Sequence, residues 1–350
     1  MIQKINVVLF VFTLVFLSSC EKEELPLKSN KTAVTETDPN SSNDSVFYSV
    51  KSNSIFIDTD YKYQVFYDLE SDTKVAQNLK TDWDLAFECG DNGYHIKLNS
   101  SRGMQVWATG VTNFSTVESI SDNAVWTWDN PNGHLDSTSI AEWGTKNGSD
   151  IISKNQVFVL DLGYRPDGSK IGYRRMQLLS QTDNSYKVKF SHLSGEDEFT
   201  KVVQKDNDYN FMFLLIDKEG SLVSIEPPKN NWDLLFTQYT QTFISNNISI
   251  PYTVTGVLIN PNSTFVHLDT VINFDNMVLE QAKYLEFNTN QNTIGYDWKT
   301  YNYDSGSYII HPEMNYVIKN RVGNYYQLHF IDFYNENGQK GHIKFEFQRL

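Results

Sequence analysis

The chain has 350 residues, of which 40% are hydrophobic, 14% aromatic and 21% charged, and its formal net charge is −14. This is enough apolar material for one large domain or two of about 150 residues, and it excludes a disordered chain. An acidic protein lacks the basic surface that phosphates require, so nucleic-acid binding is excluded. Only one long apolar run is present, at the N-terminus, which excludes a membrane protein with several spans.

The first 19 residues have the organisation of a bacterial lipoprotein signal peptide. Lys4 supplies the positive region, the 13 residues 5–17 read INVVLFVFTLVFL, and Ser18 and Ser19 precede Cys20. A membrane-spanning helix needs about 20 apolar residues, so this run is too short to span. We predict cleavage before Cys20 and acylation of Cys20, with the lipid as the anchor. An ordinary secretory peptide with an accidental cysteine is the alternative.

Residues 20–45 are predicted to form a polar tether between the lipid and the folded part. Their Leu and Val residues are isolated among polar and turn-forming residues, so no apolar face can form. The acidic run 21–24, EKEE, resembles the export signal that sends some bacterial lipoproteins to the cell surface. Solvated charge without a targeting role explains this run equally well.

Past residue 45 the sequence predicts an all-β fold. The 20 Tyr and 22 Phe residues, against 18 Gly and 9 Pro, favour pleated strands. Residues 342–348 alternate polar and apolar side chains, as a half-buried strand does. Residues 280–287, EQAKYLEF, are the best candidate for a short helix. Hairpin turns are predicted at Asp91-Asn92-Gly93, Pro166-Asp167-Gly168, Lys218-Glu219-Gly220 and Glu336-Asn337-Gly338.

An internal repeat divides the folded part. Residues 81–87, TDWDLAF, return as residues 230–236, NNWDLLF, 149 positions later. Flanking blocks return in the same order: 61–69 as 209–217, 112–117 as 272–277, and 157–160 with 174–179 as 316–319 with 325–330. We predict two β units, an N-terminal one over residues 46–204 and a C-terminal one over residues 205–350. Alternation within each Trp-Asp-Leu-x-Phe block predicts Trp, Leu and Phe on one face of a core strand.

The second copy carries a resemblance to a known family. Over residues 231–236, 295–299, 316–319, 325–334 and 338–347 the chain resembles the HmuY family of bacterial surface lipoproteins. The first half resembles the same pattern more weakly, which suggests two tandem HmuY-like antiparallel units, although family members usually have one copy. The resemblance implies binding of haem, which family members take from host haemoproteins and pass to an outer-membrane receptor.

Haem iron requires imidazole or thioether ligands beside an apolar slot. His267 lies roughly where the family places its first axial histidine, and His311 begins a loop before the last hairpin, from which a ligand can project. We predict these two as ligands, and Met277 or Met314 could replace either. In the first copy Trp107 parallels His267, so that ligand is not expected there.

Two further histidines are predicted to have no role in binding. His95 shares a strand face with Lys97, and His342 shares one with Lys344, so both are expected to be solvated.

No catalytic pattern is evident in the sequence. It has no His-Glu-x-x-His, no Gly-x-Ser-x-Gly and no glycine-rich phosphate loop, and Glu88 beside Cys89 disfavours a thiolate. We therefore predict a haem-binding surface lipoprotein for iron acquisition, held at the outer membrane by its lipid, and not an enzyme. The alternative is a cell-surface adhesion or glycan-binding β-module, with Trp126, Trp128 and Trp143 as exposed aromatic residues.

Overall fold

Antiparallel strands dominate the folded part, as the alternating apolar pattern predicts. The computed structural model describes residues 48–140, 142–148, 150–246 and 248–350. Strands make up 47% of the structure, every strand pairing of the described residues is antiparallel, and the predicted all-β fold class is confirmed. The signal peptide, Cys20 and the tether lie outside the described residues and stay predictions.

The described strands are β1 (Lys51–Phe56), β2 (Tyr63–Asp68), β3 (Thr73–Leu79), β4 (Leu85–Glu88), β5 (Ile96–Leu98), β6 (Gln105–Ala108), β7 (Trp126–Thr127), β8 (Gly144–Asn147), β9 (Asp150–Ser153), β10 (Val157–Asp161), β11 (Tyr173–Thr182), β12 (Ser185–Ser191), β13 (Phe199–Gln204), β14 (Phe211–Leu215), β15 (Ser221–Val223), β16 (Leu234–Ser245), β17 (Ile248–Ile259), β18 (Phe265–Asp269), β19 (Lys299–Asn302), β20 (Ser307–Ile310), β21 (Asn315–Lys319), β22 (Tyr325–Tyr334) and β23 (Lys340–Arg349). The helical elements are α1 (Leu279–Ala282) and the 3₁₀ turns Ser100–Arg102, Phe114–Thr116, Leu135–Ser137 and Phe274–Asn276.

Local sequence signals predict strands and turns better than the helix. The strand predicted at 342–348 lies within β23, whose apolar side chains alternate with half-buried polar ones. The four predicted turns fall between β4 and β5, β10 and β11, β14 and β15, and β22 and β23. The predicted helix over 280–287 is wrong beyond one turn, because α1 has four residues and buries only Ala282, too little to stabilise a longer helix.

Strand pairing joins the two halves of the chain. β2 precedes the first Trp block and pairs with β16, which begins within the second block. β14 precedes the second block and pairs with β4, which begins within the first. β1 of the first half likewise pairs with β23 of the second half. It lies at the edge of a five-stranded sheet with the order β1-β23-β22-β21-β18. Residues 47–350 therefore form one compact unit, and the division near residue 205 stays a prediction about the sequence copies.

The repeated tryptophans pack between the halves. Leu85 and Phe87 enter one core and their repeats in the second half enter another, but Trp83 and Trp232 lie in a third cluster. There Trp83 packs edge-on against Phe213 and Trp232 against Phe66, each with ring centroids 5.0 Å apart. The expectation that Trp shares a face with Leu and Phe is wrong because each strand begins at the Leu, so alternation does not extend back to the Trp.

The repeated aspartates connect the halves through buried polar contacts. Each accepts a backbone N–H from the other half and pairs with an arginine of its own half. These contacts join Asp84 to Ile216 N–H and Arg102, and Asp233 to Leu69 N–H and Arg321. Because both aspartates are buried, these hydrogen bonds are needed to balance the desolvation of their charge.

The structure tests the sequence-based expectations for His95 and Cys89. His95 is 8% exposed and its Nδ1 lies 2.5 Å from Glu88 Oε2, so the expectation that it is solvated is wrong. The thiol of Cys89 is buried, and burial raises its pKa to about 11, which disfavours a thiolate.

Candidate functional site

The outer face of the five-stranded sheet carries the first of the predicted ligands. In the strand register His267 on β18 lies opposite Val317 on β21, and Val317 lies opposite Gln327 on β22. The chain between β18 and β19 crosses this face and buries Met277 against Val317. We call the resulting apolar cluster the second outer layer; its members are Met277, Ala282, Val317, Ile272, Leu285, Phe287, Tyr325 and Leu350.

A hydrogen bond to the backbone fixes which nitrogen of the neutral His267 ring carries the proton. Its Nδ1 lies 2.8 Å from the carbonyl oxygen of Glu286, which can only accept, so Nδ1–H must donate. In the neutral ring the lone pair is then on Nε2, and among the described residues no group hydrogen-bonds that atom. Histidines that ligate metals commonly have this second-nitrogen hydrogen bond.

Met277 belongs to the same region as His267. It is buried in the second outer layer together with Phe287, and the Phe287 ring packs edge-on against the His267 ring with centroids 6.4 Å apart. The structure therefore places one imidazole and one thioether among the predicted ligands around a common aromatic side chain.

His311 and Met314 lie in a different environment. His311 Nε2 is 2.8 Å from Thr300 Oγ1, so this nitrogen already has a partner. Met314 packs against the core on the inner face of the sheet, together with Tyr316, whereas Val317 points to the outer face. Met314 and Met277 thus lie on opposite faces of one sheet, and the pairing of His267 with His311 stays a prediction.

The first half has the same arrangement with different side chains. Trp107 on β6 lies opposite Val159, and Val159 lies opposite Arg175, so the register places Trp107 where the second half has His267. A first outer layer of Phe114, Val117, Val157 and Val159 with Trp107, Ile120, Trp126, Tyr173 and Leu193 corresponds to the second. The parallel between Trp107 and His267 therefore holds in the strand register.

Arg175 holds the covering chain of the first half. Its Nη1 donates to the carbonyl oxygens of Val117 (3.1 Å) and Ser115 (3.4 Å), and its Nε donates to Ser191 Oγ (2.6 Å). Its guanidinium lies 4.6 Å from the centroid of the Phe114 ring. One buried side chain thus joins the sheet to the segment that covers it.

Gln327 occupies the corresponding position of the second half and makes no such contacts. It is 1% exposed, and neither its Oε1 nor its Nε2 has a hydrogen-bond partner among the described residues. Sequence reasoning missed this residue, because the ungapped alignment of the repeat pairs Arg175 with Tyr326. A one-residue shift moves a side chain to the other face of a strand.

The aromatic residues proposed for glycan binding are not exposed as expected. Trp143 is 1% exposed and its indole donates to the carbonyl oxygen of Tyr94 (3.0 Å). Trp126 and Trp128 are half-buried, and the Trp128 indole donates to Thr242 Oγ1.

In the described part of the chain no three His, Cys, Asp or Glu side chains are grouped to hold a metal ion. No helix of these residues is long and apolar enough to cross a membrane.

Comparison with known families identifies the chain. The family model described as HmuY protein matches residues 60–347, a span that includes both halves. This chain belongs to the HmuY family. No curated protein sequence matches it significantly.

Two solved structures can be compared with this HmuY-family chain. Apo PinO from Porphyromonas gingivitis is 9% identical, with 86% of this chain and 97% of PinO covered and a TM-score of 0.28. An apo HmuY analog from Tannerella forsythia is 12% identical, with 88% and 98% covered and a TM-score of 0.25.

Proposed function

We propose that this HmuY-family protein is a lipid-anchored haem carrier of the outer membrane, and that His267 is a ligand of the haem iron. The observation that carries the proposal is the Nδ1–H hydrogen bond of His267 to the Glu286 carbonyl, which leaves Nε2 free to coordinate. The family resemblance supports haem as the ligand, and both lines of argument lead to the same residue.

Met277 is the second ligand in this proposal. Haem iron accepts a thioether opposite an imidazole, and bound haem requires apolar, aromatic surroundings. The second outer layer supplies Phe287 and Tyr325 beside Met277. Met277 is only 4% exposed, so the covering chain has to move off the sheet before an iron centre can reach its sulfur.

The unpartnered amide of Gln327 supports such a movement. A buried polar group without a partner destabilises the closed arrangement, and exposure to solvent or to a ligand removes that penalty. In the first half the equivalent position ties down the cover through Arg175. The second outer layer is therefore the one that can open, which agrees with the location of both ligands.

A haem titration of the purified mature chain tests the proposal. We expect a saturable, shifted Soret band with six-coordinate low-spin features. Replacement H267A should abolish these features, whereas M277A should leave a five-coordinate, weaker complex because one axial ligand remains. H192A, which alters a histidine in a turn of the first half, is the matched control and should titrate like the wild type.

Each alternative outcome has a definite meaning. Absence of a Soret shift in the wild type rejects haem binding. An unchanged spectrum in H267A rejects this ligand, and a spectrum lost in H311A but kept in M277A restores the His267–His311 pair.

The carrier role adds a donor and a recipient. By family resemblance these are host haemoproteins and an outer-membrane haem receptor, with the lipid on Cys20 as the only membrane contact. Mixing the apo protein with methaemoglobin should move the Soret signal to the carrier during size-exclusion chromatography. Haem that stays with haemoglobin would argue against acquisition from this donor class.

A further inference from the structure

A cavity separate from the proposed haem site lies between the two halves. Its volume is about 120 Å³, and neither His267 nor Met277 lines it. The rings of Phe66, Trp83, Phe211, Phe213 and Trp232 form its walls. Small-molecule sites are concave, mostly apolar and placed where structural units meet, and this cavity has all three properties.

The two repeated tryptophans differ in their hydrogen bonding. Trp83 Nε1–H donates to Gln64 Oε1 (2.8 Å). Trp232 is 2% exposed and lines the same cavity, yet its Nε1–H has no acceptor among the described residues. Buried indole N–H groups normally have a partner, so Trp232 contributes an unused donor to the residues that line the cavity.

Lys97 supplies a second group with unused donors. Its ammonium donates to Gln291 Oε1 (2.6 Å) and lies 4.9 Å from the centroid of the Phe211 ring. Within the described part of the chain it forms no ion pair. Burial lowers the pKa of Lys97, and an anionic oxygen at the position of Gln291 Oε1 would stabilise the ammonium better than the neutral amide does.

The two carboxylates of the cavity already have donors. Asp129 accepts the backbone N–H groups of Leu98 (2.7 Å) and Ser139 (2.8 Å), and Glu226 accepts that of Phe211 (2.8 Å). Burial raises the pKa of Glu226 to about 7 and that of Asp129 to about 6, so near neutral pH the charge of Glu226 is reduced and Asp129 keeps most of its charge. Besides the unused donors of Lys97 and Trp232, the Tyr239 hydroxyl lines the cavity without a partner, and a ligand that carries acceptors can satisfy all three.

The mouth of the cavity is built from both halves. Gln291 N–H donates to the carbonyl oxygen of Asn132 (2.7 Å), and His134 Nε2 lies 2.7 Å from Asn290 Oδ1. Gly133 has a φ of 74° and approaches Gln291 so closely that a Cβ at this position would overlap the Gln291 side chain. The close approach of the two halves at this part of the lining therefore depends on the absence of a side chain at residue 133.

We propose that this cavity binds a small aromatic carboxylate. The ring lies among Trp83, Trp232 and Phe213, the carboxylate replaces Gln291 Oε1 as the acceptor for Lys97, and an oxygen of the ligand accepts from Trp232 Nε1–H. The ring walls explain the aromatic part of the ligand, and the two unsatisfied donors explain its acidic part.

Calorimetric titration of the mature chain with 2-naphthoate tests this site, with uncharged 2-naphthylmethanol as the matched ligand. We expect saturable naphthoate binding at least tenfold tighter than that of the alcohol. K97M should remove this preference, and W232F, which keeps a ring but removes the N–H, should weaken naphthoate binding more than W83F does. K189M and W107F change the same residue types outside the cavity and are the controls.

The outcomes decide the proposal whatever the result with haem. Equal binding of acid and alcohol, or wild-type affinity in both K97M and W232F, overturns it, as does the absence of saturable binding to the wild type. Circular dichroism confirms that each variant is folded, and K97Q is a second test of Lys97 if K97M fails to fold. H267A should retain naphthoate affinity even when haem binding is lost.

Discussion

In both outer layers the strands pair in the same register, but the contacts that hold the covering chain to the sheet differ. In the first half, Arg175 joins the sheet to the carbonyl oxygens of the covering chain. In the second half, Gln327 lies at the equivalent position with both polar atoms unpartnered. Trp107 fills the position that His267 occupies in the second half. The same backbone arrangement therefore carries one layer held by Arg175 and one layer that contains the proposed haem ligands His267 and Met277.

This difference shows that function in a duplicated fold can depend on a few side chains. The repeated aspartates make equivalent contacts in both halves, so the framework that joins the halves is the same on both sides although the outer layers differ. Fold alone does not determine function, and here the layers differ at two equivalent positions, Arg175 against Gln327 and Trp107 against His267.

The largest expected effect on stability is that of R175L. It leaves the carbonyl oxygens of Ser115 and Val117 without a buried donor, so we expect the free energy of unfolding to fall by about 3 kcal/mol. Urea denaturation followed by tryptophan fluorescence measures the change. A decrease of less than about 0.5 kcal/mol in the free energy of unfolding would mean that Arg175 does not stabilise the covering chain of the first outer layer.

The region between the halves should differ from both layers in its response to pH. Buried Glu226 keeps its proton up to about pH 7, whereas an unfolded glutamate releases it near 4.5. Its contribution to stability is therefore complete below pH 4.5 and is lost as pH rises through 7. Relative to E226Q, the wild type should lose about 2 kcal/mol between pH 5 and pH 8. Parallel stability profiles of the two proteins would contradict this assignment.

An arginine at position 327, which is equivalent to Arg175 of the first half, should slow haem entry. Q327R places a guanidinium beneath the covering chain, where it can donate to backbone carbonyls as Arg175 does. We expect association of haem, measured by stopped-flow absorbance, to slow about tenfold, equivalent to about 1.4 kcal/mol. Q348R changes the residue opposite Gln327 on the neighbouring strand and controls for the added charge. Equal slowing in both variants would show that hydrogen bonds from the introduced arginine to the covering chain are not the cause.

The smallest expected effect is the stability change caused by Q327L, which alters the second outer layer and leaves the first unchanged. Q327L removes an amide that has no partner and keeps an apolar side chain of similar volume, so we expect the protein to gain about 1 kcal/mol in stability. Thermal unfolding of Q327L and R175L should shift in opposite directions. Destabilisation in both variants would show that Gln327 has a structural partner.

Sequence patterns predicted what depends on local alternation and turn chemistry. The half-buried strand of β23 and the four turns belong to this class, whereas the parallel of Trp107 with His267 came from the spacing of the internal repeat. Pairing of β2 with β16 was not predictable, because the repeated sequences do not specify whether a strand pairs within its own copy or with the other.

The candidate site was predictable only in part. Residue type and position identified His267, but its Nδ1 hydrogen bond depends on Glu286, which is 19 residues away and brought close by the covering chain. Gln327 was missed because the repeat alignment was one residue out of register with the strands. His95 was misjudged because its strand lies against Glu88 of the neighbouring strand and not in water.

Hydrogen–deuterium exchange with and without haem tests the central claim most directly, because it reports on both layers at once. We expect haem to change exchange in the covering chain at 271–287 and in β18, while residues 112–117 of the first half stay unchanged. A change centred on 112–117, or equal changes in both halves, would contradict the assignment of the haem site to the second outer layer.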